Sequence, residues 1–327
     1  MTERMPSSSP WSIILAGGDG ERTRPFIQEW LGYALPKQYC TFVGTRSMLQ
    51  HTWDRANRLS SPGRKVTVLA SHHQAGLTKH FGDQNGGTLL FQPKNCDTAP
   101  GLLLPLTYIK TWDPQAVVAV FPADHFIFPE DRFIEIVRRA AQSMAFLQDR
   151  VILLGVRPTY VEVEYGLMLP GQTLGWSGGS PIRAIRAFRE KPAVRQGMEL
   201  TGQGALWNTF VMVGRVETLW NMGWLCFPDI MNAFEQLGKK IGTPAEGSTL
   251  QAIYREMPSH NFSSEVLESL SDRLGVIELE EVMWSDWGRP ERIIETLQAL
   301  GKKPIFSSSQ VSVLGRLSKD DLKVGVG

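Results

Sequence analysis

The chain has 327 residues, of which 42% are hydrophobic and 20% are charged, an ordinary composition for a globular protein. Its 34 Lys and Arg residues nearly balance 33 Asp and Glu residues, which gives a net charge of +1. Proteins that bind nucleic acid or a membrane surface usually carry a basic face, so this balance argues against both. At this length about three-quarters of the unfolded surface can be buried, and we expect one large α/β domain or two lobes on a shared core.

The cysteines and the first residues indicate the compartment. Cys40, Cys96 and Cys226 lie far apart and form no CxxC pair, so we expect reduced thiols and neither a disulfide framework nor a zinc site. The start of the chain is polar, unlike a signal peptide, and no apolar run approaches the ~18 residues of a transmembrane helix. The sequence therefore predicts a cytoplasmic protein.

Short apolar runs predict buried strands in the first half of the chain, at residues 11–16, 66–70, 88–91, 116–121 and 151–156. They do not alternate with polar residues, which indicates a sheet that is covered on both faces. Helical periodicity lies between them in 47–59, behind a cap at Ser47, and in 131–147. This order predicts an α/β fold with a doubly wound, mostly parallel, Rossmann-like sheet flanked by helices, which binds ligands at the carboxyl ends of its strands.

The second half predicts a mixed arrangement. Strands are predicted at 165–169, 182–188, 209–213 and 275–284, and helices at 216–222, 229–238, 246–256 and 290–300. Pro290 suits the first turn of the last helix, and Gly301 suits its C-terminal cap. The Gly- and Ser-rich stretch 171–180 predicts a loop.

A glycine-rich segment, Gly17-Gly18-Asp19-Gly20-Glu21-Arg22, follows the first predicted strand. Glycines there let backbone N–H groups approach an anion without interference from Cβ atoms. The segment is not a Walker loop, which needs G-x-x-x-x-G-K-[ST], and Thr23 occupies the place of the third glycine of a dinucleotide fingerprint. A tight turn that ends in a solvated arginine is an equally good interpretation of this segment alone.

Further motifs follow in chain order. Pro36-Lys37-Gln38 places a lysine close in sequence to the glycine-rich segment, and the stretch 93–100 (PKNCDTAP) opens a predicted helix. Asp124 follows the fourth strand, at the sheet edge where this architecture binds ligands, although such an aspartate often only caps the next segment. We expect His125 to pack behind the site and not to act as a ligand.

Three more motifs complete a series: EKP at 190–192, WN at 207–208 and WSDWG at 284–288. Each of them alone is typical of a surface charge pair, a strand or a turn. The ordered string LAGGDGERTRP, PKQ, DTAP, PADH, EKP, WN, WSDWG resembles the sugar-1-phosphate nucleotidyltransferases, and most of all the bacterial mannose-1-phosphate guanylyltransferases. The resemblance extends from residue 11 to about residue 300.

The resemblance implies roles for particular residues. Catalytic roles fall to Arg22 and Lys37, on the phosphates of a nucleoside triphosphate, and to Asp124, which would share one Mg²⁺ with Asp286. The nucleotide-binding residues would be Leu15, Ala16, Gly17, Gly18, Gly20, Gln92, Thr98, Ala99 and Pro122. The sugar phosphate would be bound by Gly166, Glu190, Lys191 and Asn208.

The resemblance also implies the reaction, the partners and the domain plan. GTP and mannose-1-phosphate would give GDP-mannose and pyrophosphate, and a homodimer is possible. A nucleotidyltransferase domain would span 11–300, with a nucleotide half at 11–156 and a sugar-phosphate half at 157–300. A flexible N-terminus would occupy 1–10, and a tail would occupy 301–327.

The predicted chemistry suits these residues. A sugar-1-phosphate is mostly a dianion at pH 7, because its second pKa lies near 6, so it needs no general base to attack phosphorus. Cations, backbone amides and Mg²⁺ can align two anions and neutralise the developing charge. Two separated carboxylates suit Mg²⁺, which keeps several of its waters.

The chain departs from the usual family pattern at two sets of positions. In the nucleotide half, Glu21 stands where threonine is common, and Gln92, Cys96 and Asp97 replace Glu, Arg and Asn. In the sugar half, Glu164 and Leu167 flank Tyr165-Gly166 where G-Y-G-Y is common, and Thr209-Phe210 replaces Ser-Gly.

These departures leave other functions open. A uridylyl-, adenylyl- or thymidylyltransferase acting on another hexose phosphate is one alternative. A regulatory paralogue that senses a nucleotide sugar is a second, although such proteins tend to lose a phosphate cation or a metal carboxylate. A glycosyltransferase usually needs an Asp-x-Asp motif, and the sequence has none.

Overall fold

A computed structural model of the chain describes residues 9–74 and 87–306. Its strands are β1 (Trp11–Ala16), β2 (Lys65–Ala70), β3 (Thr88–Gln92), β4 (Val117–Pro122), β5 (Phe126–Phe128), β6 (Val151–Val156), β7 (Leu167–Ser177), β8 (Ser180–Arg189), β9 (Leu206–Arg215), β10 (Leu274–Glu278) and β11 (Met283–Ser285). Its helices are α1 (Arg24–Leu31), α2 (Met48–Asn57), α3 (Thr98–Trp112), α4 (Glu130–Ser143), α5 (Val194–Gly202), α6 (Val216–Cys226), α7 (Pro228–Gly238), α8 (Glu246–Glu256) and α9 (Pro290–Ala299). The predictions for 1–8 and 307–327 lie outside the described residues.

A large central sheet has the strand order β3-β2-β1-β4-β9-β6-β10-β8-β7. β1 pairs in parallel with both β2 and β4, and β10 pairs in parallel with β6. Of the nine described strands in this sheet, all except β8 and β9 run in the same direction. The predicted doubly wound, mostly parallel sheet is therefore confirmed.

Residues of β4 show why the sequence pattern is continuous and not alternating. Val118 and Val120 pack with α3, α6 and α7 on one face of the sheet, and Ala119 and Phe121 pack with α4 on the other. All four side chains are almost fully buried. A strand that is covered on both faces needs apolar residues at every position, so the sheet is the middle layer of three.

The prediction of a loop at 171–180 is wrong. β7 continues to Ser177 and pairs with β8 in a long antiparallel hairpin, with register shifts along it. Gly178 and Gly179 form its two-residue turn with φ of +55° and +85°, values that suit glycine in a tight hairpin. β7 lies at the edge of the sheet, where glycines and irregular pairing are tolerated, so glycine content misidentified a strand as a loop.

The single strand predicted at 275–284 is also wrong, because two strands occupy it. β10 belongs to the central sheet, whereas β11 pairs antiparallel with β5 in a separate two-stranded sheet. The predicted helix after it is confirmed as α9, with Pro290 in its first turn and Gly301 at φ +63° beyond its end. Among the helices in the described ranges, none is both long and apolar enough to cross a membrane.

Candidate active site

The glycine-rich segment after β1 borders a cavity of about 660 Å³ at the carboxyl ends of β1 and β4. The Gln38 amide donates to the carbonyls of Ala16 (2.9 Å) and Gly18 (2.7 Å), which holds this segment in place. Gly20 has φ +62°, and a Cβ atom there would lie only 3.1 Å from the Lys37 backbone nitrogen. Glycine therefore suits position 20 for two reasons: the backbone is left-handed there, and the Lys37 segment approaches closely.

Most of the predicted nucleotide-binding residues surround this cavity. It is lined by Leu15, Ala16, Gly17, Gly18, Gly20, Gln92, Thr98, Pro122 and Asp124, among others. Ala99 is an exception among the predicted residues, because it is fully buried and its N–H donates to the His260 carbonyl at 2.9 Å. The first turn of α3 thus contributes Thr98 to the cavity and Ala99 to the core.

A smaller cavity of about 310 Å³ adjoins the first and contains the predicted cations. Arg22, Lys37, Asp124 and Gly288 are among its lining residues. The Lys37 side chain is 5% exposed, its Nζ lies 2.7 Å from Asp124 Oδ2, and it donates to the Asp286 carbonyl. Arg22 is 56% exposed and contacts Glu164 at 3.0 Å and Asp286 at 3.3 Å. One buried cation and one exposed cation therefore border the same space.

Asp286 is a buried carboxylate surrounded by donors. Its Oδ1 accepts hydrogen bonds from the Tyr165 hydroxyl (2.6 Å), Arg292 (2.8 Å) and the Gly288 N–H (2.9 Å). Burial alone would raise the pKa of Asp286, but the charges of Lys37 and Arg292 hold it well below the ordinary value. The group is therefore a carboxylate at neutral pH.

Asp124 is a second carboxylate beside the same lysine. Burial favours a raised pKa, but the charge and the hydrogen bond of Lys37, together with the neighbouring His125, hold the pKa of Asp124 below its usual value. The charge of Asp286 acts in the opposite direction on the pKa of Asp124, as expected for neighbouring carboxylates. Asp124 lines both cavities, whereas Asp286 lies beside the smaller one, in contact with Arg22 and Lys37 of its lining. Two neighbouring carboxylates are hard oxygen donors of the kind that Mg²⁺ takes.

The two-stranded sheet of β5 and β11 explains how Asp124 and Asp286, which are 162 positions apart, come together. Ser285 pairs with Phe126 and Trp284 pairs with Ile127, in antiparallel register. Asp286 follows the last residue of β11, and Asp124 precedes the first residue of β5 by two positions. Because the end of one antiparallel strand lies beside the start of its partner, both carboxylates emerge at the same end of this sheet.

His125 packs behind Asp124. Its Nδ1 accepts a hydrogen bond from the Trp284 indole at 3.2 Å, and the two rings meet edge to face. Burial lowers the pKa of His125 to about 4, so the ring is neutral at pH 7. The ring also lines the main cavity.

Three of the predicted sugar-phosphate residues form a cluster on the mixed half of the sheet. A Cβ atom on Gly166 would lie 2.6 Å from Glu190 Oε2 and 3.3 Å from Asn208 Cβ, so only glycine fits between them. The Asn208 N–H donates to the Gly166 carbonyl at 2.8 Å. Burial raises the pKa of Glu190 to about 7, against the charge of Lys191, and the negative Glu268 and Asp97 add to the rise.

Two residues beside this cluster have a left-handed backbone. Lys191 has φ +46° and is exposed, and Phe210 has φ +57°. The Asn208 side-chain oxygen accepts from the Phe210 N–H at 3.0 Å and so supports the second of these conformations. Phe210 stands where the family pattern commonly has glycine, and its side chain lines the main cavity. Phe210 therefore links the sugar-phosphate cluster to the main cavity.

The sequence analysis missed a group of polar residues around Asp286. Arg292 contacts Tyr165 (2.7 Å), Glu164 (3.0 Å) and Glu162, and Glu164 also pairs with Arg22 and Arg289. The available signal was Arg292 in the first turn of α9, six residues after Asp286. The apolar face of that helix, which predicted its existence, carries no information about this polar side.

A family model described as nucleotidyl transferase matches residues 11–303, and the chain belongs to this family. The fold agrees with solved structures. A structure titled as a mannose-1-phosphate geranyltransferase from Thermus thermophilus covers 87% of this chain and 78% of its own, with a TM-score of 0.71 and 25% identity. A putative glucose-1-phosphate thymidylyltransferase from Bacillus anthracis shares the fold at 14% identity, with a TM-score of 0.54 over 92% of this chain and 98% of its own.

The curated relatives that match are longer than this chain. A mannose-1-phosphate guanylyltransferase from Escherichia coli is 26% identical over 298 residues, which cover 89% of this chain and 61% of the relative. The xanthan biosynthesis protein XanB from Xanthomonas campestris pv. campestris (strain B100) is 27% identical over 89% of this chain and 60% of its own length. The chain therefore spans about three-fifths of these relatives.

Proposed function

We propose that this protein transfers a nucleotidyl group from a nucleoside triphosphate to a hexose-1-phosphate and releases pyrophosphate. The observation that carries the proposal is the convergence of the glycine-rich segment, Lys37 and Asp124 on two adjoining cavities, with Asp286 in contact with Lys37 beside them. Such a site combines backbone amides, cations and carboxylates, which are the groups that phosphoryl chemistry requires. The relatives named as mannose-1-phosphate guanylyltransferases support GTP and mannose-1-phosphate as the substrates.

The proposed roles follow from position. Arg22 and Lys37 bind phosphates of the nucleotide, beside the smaller cavity. Asp124 and the Oδ2 oxygen of Asp286 hold Mg²⁺, which supplies charge neutralisation at the phosphates when it is bound. Glu190 and Asn208 bind sugar hydroxyls, and the exposed Lys191 binds the sugar phosphate. No general base is required, because the attacking phosphate is already a dianion.

Gln92 is the proposed reader of the base. The Gln92 side-chain nitrogen lies 3.2 Å from the Tyr254 hydroxyl, which in turn donates to the Pro100 carbonyl. Tyr254 thereby fixes the amide so that Oε1 faces Gly17, where a Cβ atom would lie 2.6 Å away. An oriented carbonyl oxygen can accept from the N1–H or N2–H₂ donors of guanine. Cys96 cannot contribute, because it is fully buried and its thiol points to the Met257 carbonyl.

The test is pyrophosphate release over a grid of GTP, ATP, UTP and dTTP against mannose-1-phosphate and glucose-1-phosphate. We expect GTP with mannose-1-phosphate to give the highest kcat/KM. With adenine, which lacks the N1–H and N2–H₂ donors, two buried acceptors of the protein would stay unpaired, which would disfavour ATP by about 2–3 kcal/mol, or roughly fifty- to a hundredfold. A preference for UTP or dTTP would contradict the guanylyl assignment. Nucleotide-sugar binding without pyrophosphate release from any pair would instead favour the sensing paralogue.

The same assay tests the metal. We expect a chelator to abolish turnover and Mg²⁺ to restore it, and Asp124→Asn or Asp286→Asn to lose most turnover while remaining folded. The matched control is Asp131→Asn, because the Asp131 side chain is 93% exposed on α4 and should tolerate the change. Full activity in Asp124→Asn or Asp286→Asn would remove that residue from the proposed metal site.

A further inference from the structure

Asp19, His72 and His73 form a cluster that the proposed reaction does not use. Asp19 lies in the glycine-rich segment, and the two histidines lie in the short turn that follows β2. Asp19 Oδ1 is 2.7 Å from His72 Nε2 and 3.2 Å from His73 Nε2. The three side chains each present one ligand atom, and these atoms lie within 4.8 Å of one another.

We infer that Asp19, His72 and His73 bind a divalent transition-metal ion of the zinc type. Two imidazole nitrogens and one carboxylate oxygen suit Zn²⁺, Co²⁺ or Ni²⁺, whereas Mg²⁺ and Ca²⁺ prefer oxygen ligands alone. Around a tetrahedral ion with bonds of about 2.0–2.2 Å, neighbouring ligand atoms lie roughly 3.3–3.6 Å apart. One N···O distance in the cluster, 3.2 Å to His73, is close to that spacing, and the other, 2.7 Å to His72, is shorter. The exposed His72 ring would therefore move slightly away from Asp19 to admit the ion.

The surroundings provide the supporting contacts that metal-bound histidines need. His73 is buried, and its Nδ1 lies 3.1 Å from the Tyr39 hydroxyl, which can accept a hydrogen bond from Nδ1–H when Nε2 binds a metal. Asn95 hydrogen-bonds to Asp19 and so restrains the carboxylate. His72 is 58% exposed, which leaves one side of the cluster open to water as a further ligand.

The inferred site is separate from the carboxylates proposed for Mg²⁺, although Asp19 lines both cavities. An ion at Asp19 would connect the glycine-rich segment to the end of β2 and add positive charge beside the space proposed for the phosphates. The competing explanation is a hydrogen-bonded trio, in which both histidines donate to one carboxylate oxygen. The two explanations differ in whether the protein binds a metal ion, and this can be measured without any substrate.

The test uses the full chain, stripped with EDTA and dialysed, titrated with ZnCl₂ by calorimetry at pH 7.5 in the absence of nucleotide and sugar phosphate. We expect one Zn²⁺ per chain, and no displacement by a hundredfold excess of Mg²⁺. His72→Gln and Asp19→Asn should each weaken Zn²⁺ binding about tenfold or more, since even partners of metal ligands contribute ten- to a hundredfold. Co²⁺ in place of Zn²⁺ should give visible absorption bands that His72→Gln alters.

His51→Gln is the matched control, because His51 is partly exposed on α2, outside the cluster, and this variant should bind Zn²⁺ like the wild type. His72 lies at the surface, so His72→Gln should keep the wild-type unfolding temperature. Absence of saturable Zn²⁺ binding in the wild type would overturn the inference. Equal affinity in the wild type, His72→Gln and Asp19→Asn would overturn it as well, by locating the ion elsewhere. Neither outcome bears on the nucleotidyl transfer proposed above.

Discussion

At the scale of single residues, the two oxygens of Asp286 have different surroundings. Oδ1 accepts from Tyr165, Arg292 and the Gly288 N–H, whereas among the described residues the hydrogen bond to Oδ2 comes from Arg22 at 3.3 Å. Oδ1 therefore anchors the side chain, whereas Oδ2 lies beside Arg22 and Gly288, which line the smaller cavity. Gly288 maintains this arrangement, because a Cβ atom there would clash with Oδ2 and lie 2.8 Å from Arg22 Nη2.

We therefore expect Gly288→Ala to displace the Asp286 carboxylate and Arg22, and to lower kcat/KM in the pyrophosphate-release assay about tenfold or more. A tenfold loss corresponds to about 1.4 kcal/mol of transition-state stabilisation. Gly247→Ala is the control, since Gly247 lies in α8 without a positive φ, and a Cβ atom added there would meet no atom within 4 Å. Wild-type kinetics for Gly288→Ala would show that the position of Asp286 does not matter for turnover.

Glu190 has a titration that can be tested by stability alone. Burial raises its pKa from 4.5 to about 7, so between these values the folded state holds a proton that the unfolded state has released. Wild-type stability should therefore fall as pH rises from about 4.5 to about 7, by on the order of 3 kcal/mol from this group. Glu190→Gln removes the effect, so urea unfolding should show the variant gaining stability relative to the wild type across this range.

The control for this pH series is Glu199→Gln. The Glu199 side chain is 57% exposed on α5, and its described ion pair is with the exposed Arg195. Its stability relative to the wild type should change little with pH. A constant difference between Glu190→Gln and the wild type from pH 4.5 to pH 7.5 would contradict a raised pKa at Glu190.

At the scale of elements, α9 attaches to the site through one buried arginine. The Arg292 side chain is 7% exposed and pairs with Asp286 and Glu162, each of which is 10% exposed. Burial alone would lower the pKa of Arg292, but Asp286, Tyr165 and Glu162 together raise it above its usual value, so the guanidinium stays charged. Removing one member of a buried ion-pair group leaves the other charges without compensation, which costs more than the pair contributes.

Arg292→Met should therefore destabilise the protein by about 3–5 kcal/mol, measured as the free energy of unfolding in urea. Arg289→Met is the matched control, because Arg289 is 54% exposed and its pair with Glu164 should contribute about 1 kcal/mol or less. The double variant Arg292→Met/Glu162→Gln should recover part of the loss, because it removes one stranded charge. Equal losses in Arg292→Met and Arg289→Met would contradict a special role for the buried arginine.

At the scale of the whole molecule, the predicted site residues fall into two groups. The glycine-rich segment, Arg22 and Lys37 border the two cavities at the parallel end of the sheet, and Gly166, Glu190 and Asn208 cluster on the mixed end. Among the described residues, Phe210 extends from the second group to the main cavity. This arrangement agrees with the expected division into a nucleotide half and a sugar-phosphate half, which stays a prediction.

The division predicts separable kinetic effects. Arg22→Ala should raise the KM for the nucleoside triphosphate and lower turnover, whereas Lys191→Ala should mainly raise the KM for the sugar phosphate, each about tenfold. Each variant removes one charge-assisted contact of about 1.5–3 kcal/mol, and the measurement is initial rates with each substrate varied in turn. Arg195→Ala is the control for Lys191, since its side chain is 91% exposed nearby on α5. A rise confined to the nucleotide KM in Lys191→Ala would contradict the division.

The sequence by itself was sufficient for the features that depend on neighbours along the chain. The buried strands of the first half, the cap at Ser47, the helix 246–256 and the Pro290 and Gly301 ends of α9 all follow from local periodicity and capping chemistry. The family was also recognisable, because short motifs keep their order along the chain. Most of the residues expected around a nucleotide indeed line one cavity.

Only the tertiary structure decided what depends on distant pairing. The β7–β8 hairpin pairs through glycine-rich residues that locally resemble a loop. β11 pairs with β5 and not with the central sheet, and this could not be predicted because β5 lies far away in sequence. The same reason applies to Arg292 beside Glu162, and to the Asp19 cluster with His72 and His73. Polar and charged side chains that contact each other while lying about 50 to 130 residues apart in sequence leave no periodic signal. The free energy of their contacts arises only once the chain has folded.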